Sequence, residues 1–124
     1  MQALIIDDDP IVHILVSKML SPKGYEITGL KTEDEINSFL TQPLTISEDI
    51  DIILLDLQLG ELTGQIVYSG LKNLLPTLPP IIFMSSNTFE EARELFTLKE
   101  EFNFLHKPFI SKDLYGALEK VIGT

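Results

Sequence analysis

The stretch from Asp51 to Gly60, Asp-Ile-Ile-Leu-Leu-Asp-Leu-Gln-Leu-Gly, constrains the fold more than any other part of the chain. Its unbroken apolar run, Ile52 to Leu55, reads as a strand buried on both faces, which requires a sheet covered by helices on both sides. The run stops at a lone carboxylate. Asp56 therefore stands at the carboxyl tip of a strand, where open parallel sheets bind their ligands. A second apolar run, Ala3 to Ile6, leads directly into Asp7, Asp8 and Asp9. If the two strands are neighbours, their acids gather at one sheet edge and repel each other unless a cation sits among them.

The same pattern of apolar run, polar tip and helix recurs along the chain. Asp9-Pro10 reads as an N-cap with proline at the first helical position, and the helix runs to about Leu20 on Ile11, Ile14, Leu15 and Met19. Ser21 to Gly24 ends it, and Tyr25 to Thr28 alternates as an edge strand. Thr32 and Glu35 form a capping box for a helix carrying Ile36, Phe39 and Leu40, with Glu33, Asp34 and Glu35 suited to its N-terminus. Gln42-Pro43 stops that helix, and a surface loop is expected up to Asp51. After Asp56, Gly60 and Gly64 permit a tight loop, and a helix follows on Ile66, Val67, Leu71 and Leu74 until Pro76. Pro79-Pro80 returns the chain to an extended form before a fourth run, Ile81 to Met84, which ends in Ser85-Ser86-Asn87. Thr88 and Glu91 make a second capping box for a helix with Phe89, Ala92 and Phe96. Phe102 to His106 is the fifth strand and Lys107-Pro108 its tip. Ser111 is expected to cap the last helix, on Leu114, Ala117, Leu118, Val121 and Ile122. Strict alternation of strand and helix implies a mainly parallel sheet with right-handed crossovers.

At 124 residues and 44% hydrophobic content, the chain is expected to be a single domain spanning 1–124 with no effector domain. A net charge of −10 argues against nucleic-acid binding, because polyphosphate backbones reward basic surfaces. The absence of cysteine excludes disulfides and thiolate metal sites. No apolar run approaches a membrane span, and the N-terminal run is too short and lacks the basic start of a signal peptide. A soluble, cytoplasmic protein is the expectation, with no membrane partner.

The strand tips collect Asp7, Asp8, Asp56, Ser85, Ser86 and Lys107. Clustered carboxylates with a backbone carbonyl suit a hard divalent cation such as Mg²⁺. A lysine and a hydroxyl opposite it suit the remaining oxygens of a phosphoryl group. The chemistry indicated is attack of a carboxylate on phosphorus. Taken singly, each feature has a plainer reading: an acidic triplet usually caps a helix, paired serines usually form a turn, and a lone lysine is usually a surface residue. Phe104 by itself is a core aromatic. His13 and His106 read as structural or surface histidines, since neither has a second His or Cys at ligand spacing. The acids become a site only in combination with Asp56 and Lys107.

In that combination, Asp7-Asp8, Asp56, Ser85 and Lys107-Pro108 at successive strand ends resemble a response-regulator receiver domain of two-component signalling, of the chemotaxis-response-regulator kind. The resemblance covers essentially the whole chain. It implies an α/β, flavodoxin-like doubly wound sheet of five parallel strands in order 2-1-3-4-5. It also implies phosphorylation of Asp56 by a histidine kinase or histidine phosphotransfer protein. Asp8, Asp56 and the main-chain carbonyl of Gln58 would bind Mg²⁺, with Asp7 acting through water. Ser85 and Ser86 would meet the phosphoryl group, Lys107 would pair with it, and the Lys107-Pro108 peptide would be cis. Ser85 and Phe104 would be the switch residues that alter binding of a downstream protein at the face of helix 4, strand 5 and helix 5. Gly60 replaces the proline usual in the family and Thr63 replaces a common acid, so the loop after Asp56 is expected to be more mobile. Glu100-Glu101-Phe102 replaces a small turn before the fifth strand.

Two other functions compete with a phospho-acceptor switch that is not itself an enzyme. A receiver-fold binding module could signal without phosphorylation. An aspartate-nucleophile phosphohydrolase of the haloacid-dehalogenase kind also places an acid after an apolar strand. Here, however, Gln58 occupies the place of that family's general acid, and no cap domain is expected to enclose a substrate.

Overall fold

The structure, a computed structural model, describes residues 1–41, 49–75, 77–95 and 102–123. Strands and helices alternate as β1 (Gln2–Ile6), α1 (Pro10–Leu20), β2 (Glu26–Leu30), α2 (Glu33–Thr41), β3 (Ile50–Asp56), β4 (Gln58–Leu59), β5 (Leu62–Thr63), α3 (Gly64–Leu74), β6 (Ile81–Ser85), α4 (Phe89–Leu95), β7 (Asn103–His106) and α5 (Ser111–Ile122). One five-stranded parallel sheet runs in the order β2-β1-β3-β6-β7. This is the flavodoxin-like order that the family resemblance implies, counting the long strands alone. The two-residue strands β4 and β5 pair only with each other, antiparallel, in the loop after Asp56. That loop turns at Gly60, whose φ of +67° suits a residue without a Cβ. The expected surface loop before Asp51, the stop at Pro76, the helical position of Phe96 and the Glu100-Glu101 turn lie wholly or mostly outside the described residues.

Alternation along the strands divides the core into two layers. Leu4, Ile6, Ile53, Leu55, Ile81 and Phe83 face α2 and α3, packing with Ile36, Phe39, Val67 and Leu71. Ala3, Ile5, Ile52, Leu54, Ile82, Met84 and Leu105 face α1 and α5, packing with Val16, Leu20, Leu114 and Leu118. Both faces of the central strands are buried, which accounts for their continuous apolar runs. No described helix is long and apolar enough to cross a membrane.

The capping chemistry forms as the residue types dictate. Asp9 Oδ1 accepts the Ile11 N–H at 2.9 Å and opens α1. Both capping boxes are reciprocal: Glu35 N–H donates to Thr32 Oγ1 while Glu35 Oε1 accepts from the Thr32 N–H, and Glu91 and Thr88 do the same. The last helix differs from expectation. Its cap position is Ile110, not Ser111, and the Ile110 N–H donates to Asp113 Oδ2 at 3.1 Å. The Asp113 carboxylate thus takes the cap residue's own N–H, while the Asp113 N–H donates to the Ile110 carbonyl at 3.0 Å.

Helix α1 is also phased differently. It buries His13, Val16 and Leu20, whereas Ile11, Ile14 and Leu15 are exposed. The helix is apolar around most of its circumference, so more than one stripe has helical spacing. Contact with β2 selects the stripe that contains the histidine. In α3, Val67 and Leu71 are buried while Ile66 is exposed.

Two glycines have opposite surroundings. A Cβ on Gly64 would lie 2.8 Å from Leu57 Cα and 2.9 Å from the Asp56 carbonyl oxygen, backbone atoms that cannot step aside. A Cβ on Gly116, within α5, would meet nothing within 4 Å. Gly64→Ala is expected to destabilise the fold by about 1–3 kcal/mol through overpacking. Gly116→Ala should stabilise it by about 0.5–1 kcal/mol through helix entropy. Urea unfolding of the two variants checks the opposite signs.

Candidate functional site

Register and pleat together bring the acids to one place. Ile6 of β1 pairs with Leu55 of β3, so Asp7 and Asp56 follow side by side at the carboxyl edge. Asp56 pairs with Met84, and Met84 with Leu105, two residues before Lys107. Asp7, Asp56 and Lys107 extend the series Ala3-Ile5, Ile52-Leu54 and Leu105, so all three continue the side of the sheet covered by α1 and α5. Ser85 continues the opposite series, Ile81-Phe83.

Lys107 Nζ donates to Asp7 Oδ2 at 2.6 Å and to Asp56 Oδ2 at 2.9 Å. Asp7 is fully buried and Asp56 nearly so. The second oxygen of each acid accepts a backbone N–H: Asp56 Oδ1 from Gln58 at 2.9 Å, and Asp7 Oδ1 from Asp9 at 2.8 Å. Asp8 is exposed, and its carboxylate lies with those of Asp7 and Asp56 in a set of oxygens within 4.8 Å of one another. Three carboxylates against one ammonium leave the cluster net negative. Together with its all-oxygen donor set, that fits a hard divalent cation such as Mg²⁺.

Ser85 is buried, and its Oγ accepts the Asn87 N–H at 3.0 Å. The Ser85 carbonyl accepts the Lys107 N–H at 2.7 Å, tying the tip of β6 to that of β7. The Lys107-Pro108 peptide is cis. Ser86 is exposed, and its carbonyl accepts His106 Nε2–H at 3.0 Å. Phe104 stands apart from the acids in a row of aromatic rings, edge-on to Phe89 and Phe102. The Gln58 and Asn87 N–H bonds that shape Asp56 and Ser85 are backbone contacts, which residue types alone do not announce.

A sequence model of the response regulator receiver domain matches residues 3–119. The chain belongs to this family. This receiver domain is 26% identical over 119 residues to the transcriptional regulatory protein GlrR of Escherichia coli (strain K12), covering 96% of this chain and 26% of that protein. It is 28% identical over 116 residues to the regulatory protein VirG of Agrobacterium fabrum, covering 93% of this chain and 43% of that one. The receiver domain thus spans between a quarter and a half of these relatives. Among solved structures it is similar to the receiver domain of a sensor histidine kinase from Pseudomonas aeruginosa PAO1, which holds a magnesium ion in its active-site cleft. That likeness has a TM-score of 0.76 at 25% identity, covering 99% of this chain and 98% of the other. Receiver domains are regulatory modules rather than classical enzymes.

Burial raises the Asp56 carboxyl to about 6, and the charge of Asp7 adds to this, while the Gln58 N–H and Lys107 oppose it. Burial acts to lower the Lys107 ammonium, but its hydrogen bonds to Asp7 and Asp56 and their charges outweigh that and raise it. An acid whose folded value lies above its unfolded 3.8 weakens the fold as it ionises. That cost is absent below about pH 4, grows as the pH rises towards about 6, and is full at pH 7. Metal-free Asp56→Asn should therefore be more stable than wild type at pH 7 by about 1–3 kcal/mol, with the gain shrinking as the pH falls to about 4. Urea unfolding in chelator at the two pH values tests this. Equal or lower stability at pH 7 would mean that the Lys107 ion pair outweighs burial.

Proposed function

We propose that this receiver domain is a phospho-acceptor switch in a two-component or phosphorelay system, with Asp56 as the residue phosphorylated. The observation that carries the reading is the Lys107 ammonium, bonded at once to Asp7 and to Asp56 at the sheet edge. A carboxylate oxygen of Asp56 attacks the phosphorus of a phosphohistidine, forming a P–O bond as the P–N bond breaks and the imidazole nitrogen keeps the electron pair. Lys107 stays beside the group transferred and offsets its charge, and Ser85 Oγ–H is placed to donate to a phosphoryl oxygen. Ser86, exposed at the same tip, flanks that group. Asp7, Asp8, Asp56 and the Gln58 main-chain carbonyl would hold Mg²⁺, which supplies charge neutralisation for the incoming phosphoryl oxygens.

The donor is a histidine kinase or a histidine phosphotransfer protein, and the output partner is another protein. Its surface is the face of α4, β7 and α5, where Phe89, Phe104, His106 and Lys120 line an open groove. Phosphorylation draws Ser85 towards Asp56 and alters the packing of Phe104 against Phe89. The net charge of −10 disfavours any nucleic-acid role for these residues themselves.

Incubation with a small phosphodonor and Mg²⁺ should add a single phosphoryl group by intact mass. The adduct should be lost in Asp56→Ala and without metal, and Lys107→Ala should label yet fail to change partner binding. No adduct under any condition, with Mg²⁺ bound normally, would favour a module that signals without phosphorylation. Multiple turnover on a phosphomonoester would favour a phosphohydrolase.

A further inference from the structure

The corner between β1 and α1 contains a buried polar contact that the phosphoryl chemistry does not by itself require. His13 lies on the buried stripe of α1 with 5% exposure, and its Nε2 is 2.6 Å from the Asp7 main-chain oxygen. A carbonyl only accepts, so Nε2 carries a proton and donates it. Nδ1 is buried without a partner, the single such side-chain atom among the described residues. An unpartnered buried polar atom costs on the order of 1–3 kcal/mol, so an apolar residue would suit this stripe better unless the Nε2 bond is used.

Strand β2 makes a second concession to the same ring. A Cβ on Gly29 would lie 2.7 Å from His13 Nδ1 and 3.0 Å from its Cε1. Glycine inside a strand weakens it and marks close approach of another group, here the imidazole.

The bond acts on the acids through the backbone. The Asp7 N–H donates to the Leu30 carbonyl at 3.2 Å, and Leu30 is the last residue of β2. The His13 ring then supplies a donor to the Asp7 carbonyl. That carbonyl and the Asp8 N–H share one planar peptide, so fixing the oxygen sets the direction in which the chain leaves β1. The direction decides where the Asp8 carboxylate stands relative to Asp7 and Asp56.

We propose that His13 is a positioning residue of the acid cluster, its Nε2–H holding the Asp7–Asp8 peptide so that three carboxylates converge on one cation, with Gly29 keeping the ring seated. The identity of the cation rests on the phospho-acceptor reading. Partners of metal-binding groups typically shift affinity by 10–100-fold when removed.

Mg²⁺ affinity of the unphosphorylated full chain is measured by calorimetric titration, beside the metal-free unfolding midpoint. His13→Leu is expected to weaken Mg²⁺ binding about tenfold or more and to move the Asp8 and Asp9 amide resonances in the metal-free protein. His13→Gln, whose side-chain amide can donate to the same carbonyl, should stay within about threefold of wild type. A long-range proton–nitrogen spectrum of wild type should show the proton on Nε2 and none on Nδ1. If His13→Leu does not fold, Gly29→Ala carries the test, since its Cβ displaces the ring and should weaken Mg²⁺ in the same way. Wild-type Mg²⁺ affinity in His13→Leu, or in Gly29→Ala, would overturn the proposal even if the unfolding midpoint drops. A wild type that binds no Mg²⁺ would overturn the phospho-acceptor reading itself, and this proposal with it.

Discussion

The pairing of Lys107 with Asp7 and Asp56 is the interaction on which the site depends. It joins residues 100 and 51 positions apart in sequence and ties the tip of β7 to those of β1 and β3. Without that ammonium, two buried carboxylates would face each other with only backbone N–H groups to offset them, an arrangement low-dielectric surroundings make costly. With it, Asp56 still holds a carboxyl value near 6, so the site keeps part of the electrostatic strain that a cation or a phosphoryl group can use. A pair of this kind is weak evidence for stability and better evidence for function.

The pleat of the sheet makes the pairing possible. Asp7, Asp56 and Lys107 each follow apolar neighbours that point to the α1 and α5 layer, so one face delivers acid, acid and ammonium. Ser85 comes from the other face of β6 and is tied to Lys107 through its backbone. The site is thus assembled from both sides of one sheet edge, and its precision depends on strand register. A one-residue slip of β3 would turn Asp56 to the other layer. Gly64 protects that register locally, because α3 starts against the Asp56 and Leu57 backbone with no room for a side chain.

Much of this is legible in the sequence alone. Apolar runs in β1, β3 and β6 are too continuous for half-exposed strands, and each ends in residues with chemistry. The Thr32-Glu35 and Thr88-Glu91 boxes start helices where they should. The less legible parts have different causes. Helix α1 has apolar residues on several stripes, so its spacing suited Ile11, Ile14 and Leu15 as well as the stripe the sheet buries. The start of α5 is capped by Asp113 from within, which serine at the expected position concealed. The β4–β5 pair is too short for periodicity to show. The alternation that marks the second strand ends at Thr28, so Gly29, which lies inside β2 against the His13 ring, carries no signal until α1 lies over the strand.

The sequence by itself determined the order of strands and helices, the layering of the sheet, and the residues at its carboxyl edge. Those follow from local spacing, caps and the burial that apolar runs demand. Tertiary structure alone decided which acids share Lys107, which stripe of α1 is core, and that His13 donates to Asp7. Each of these depends on the distance and rotation between elements far apart in the chain. Local propensity does not encode such quantities; they are set only when register and packing are satisfied together.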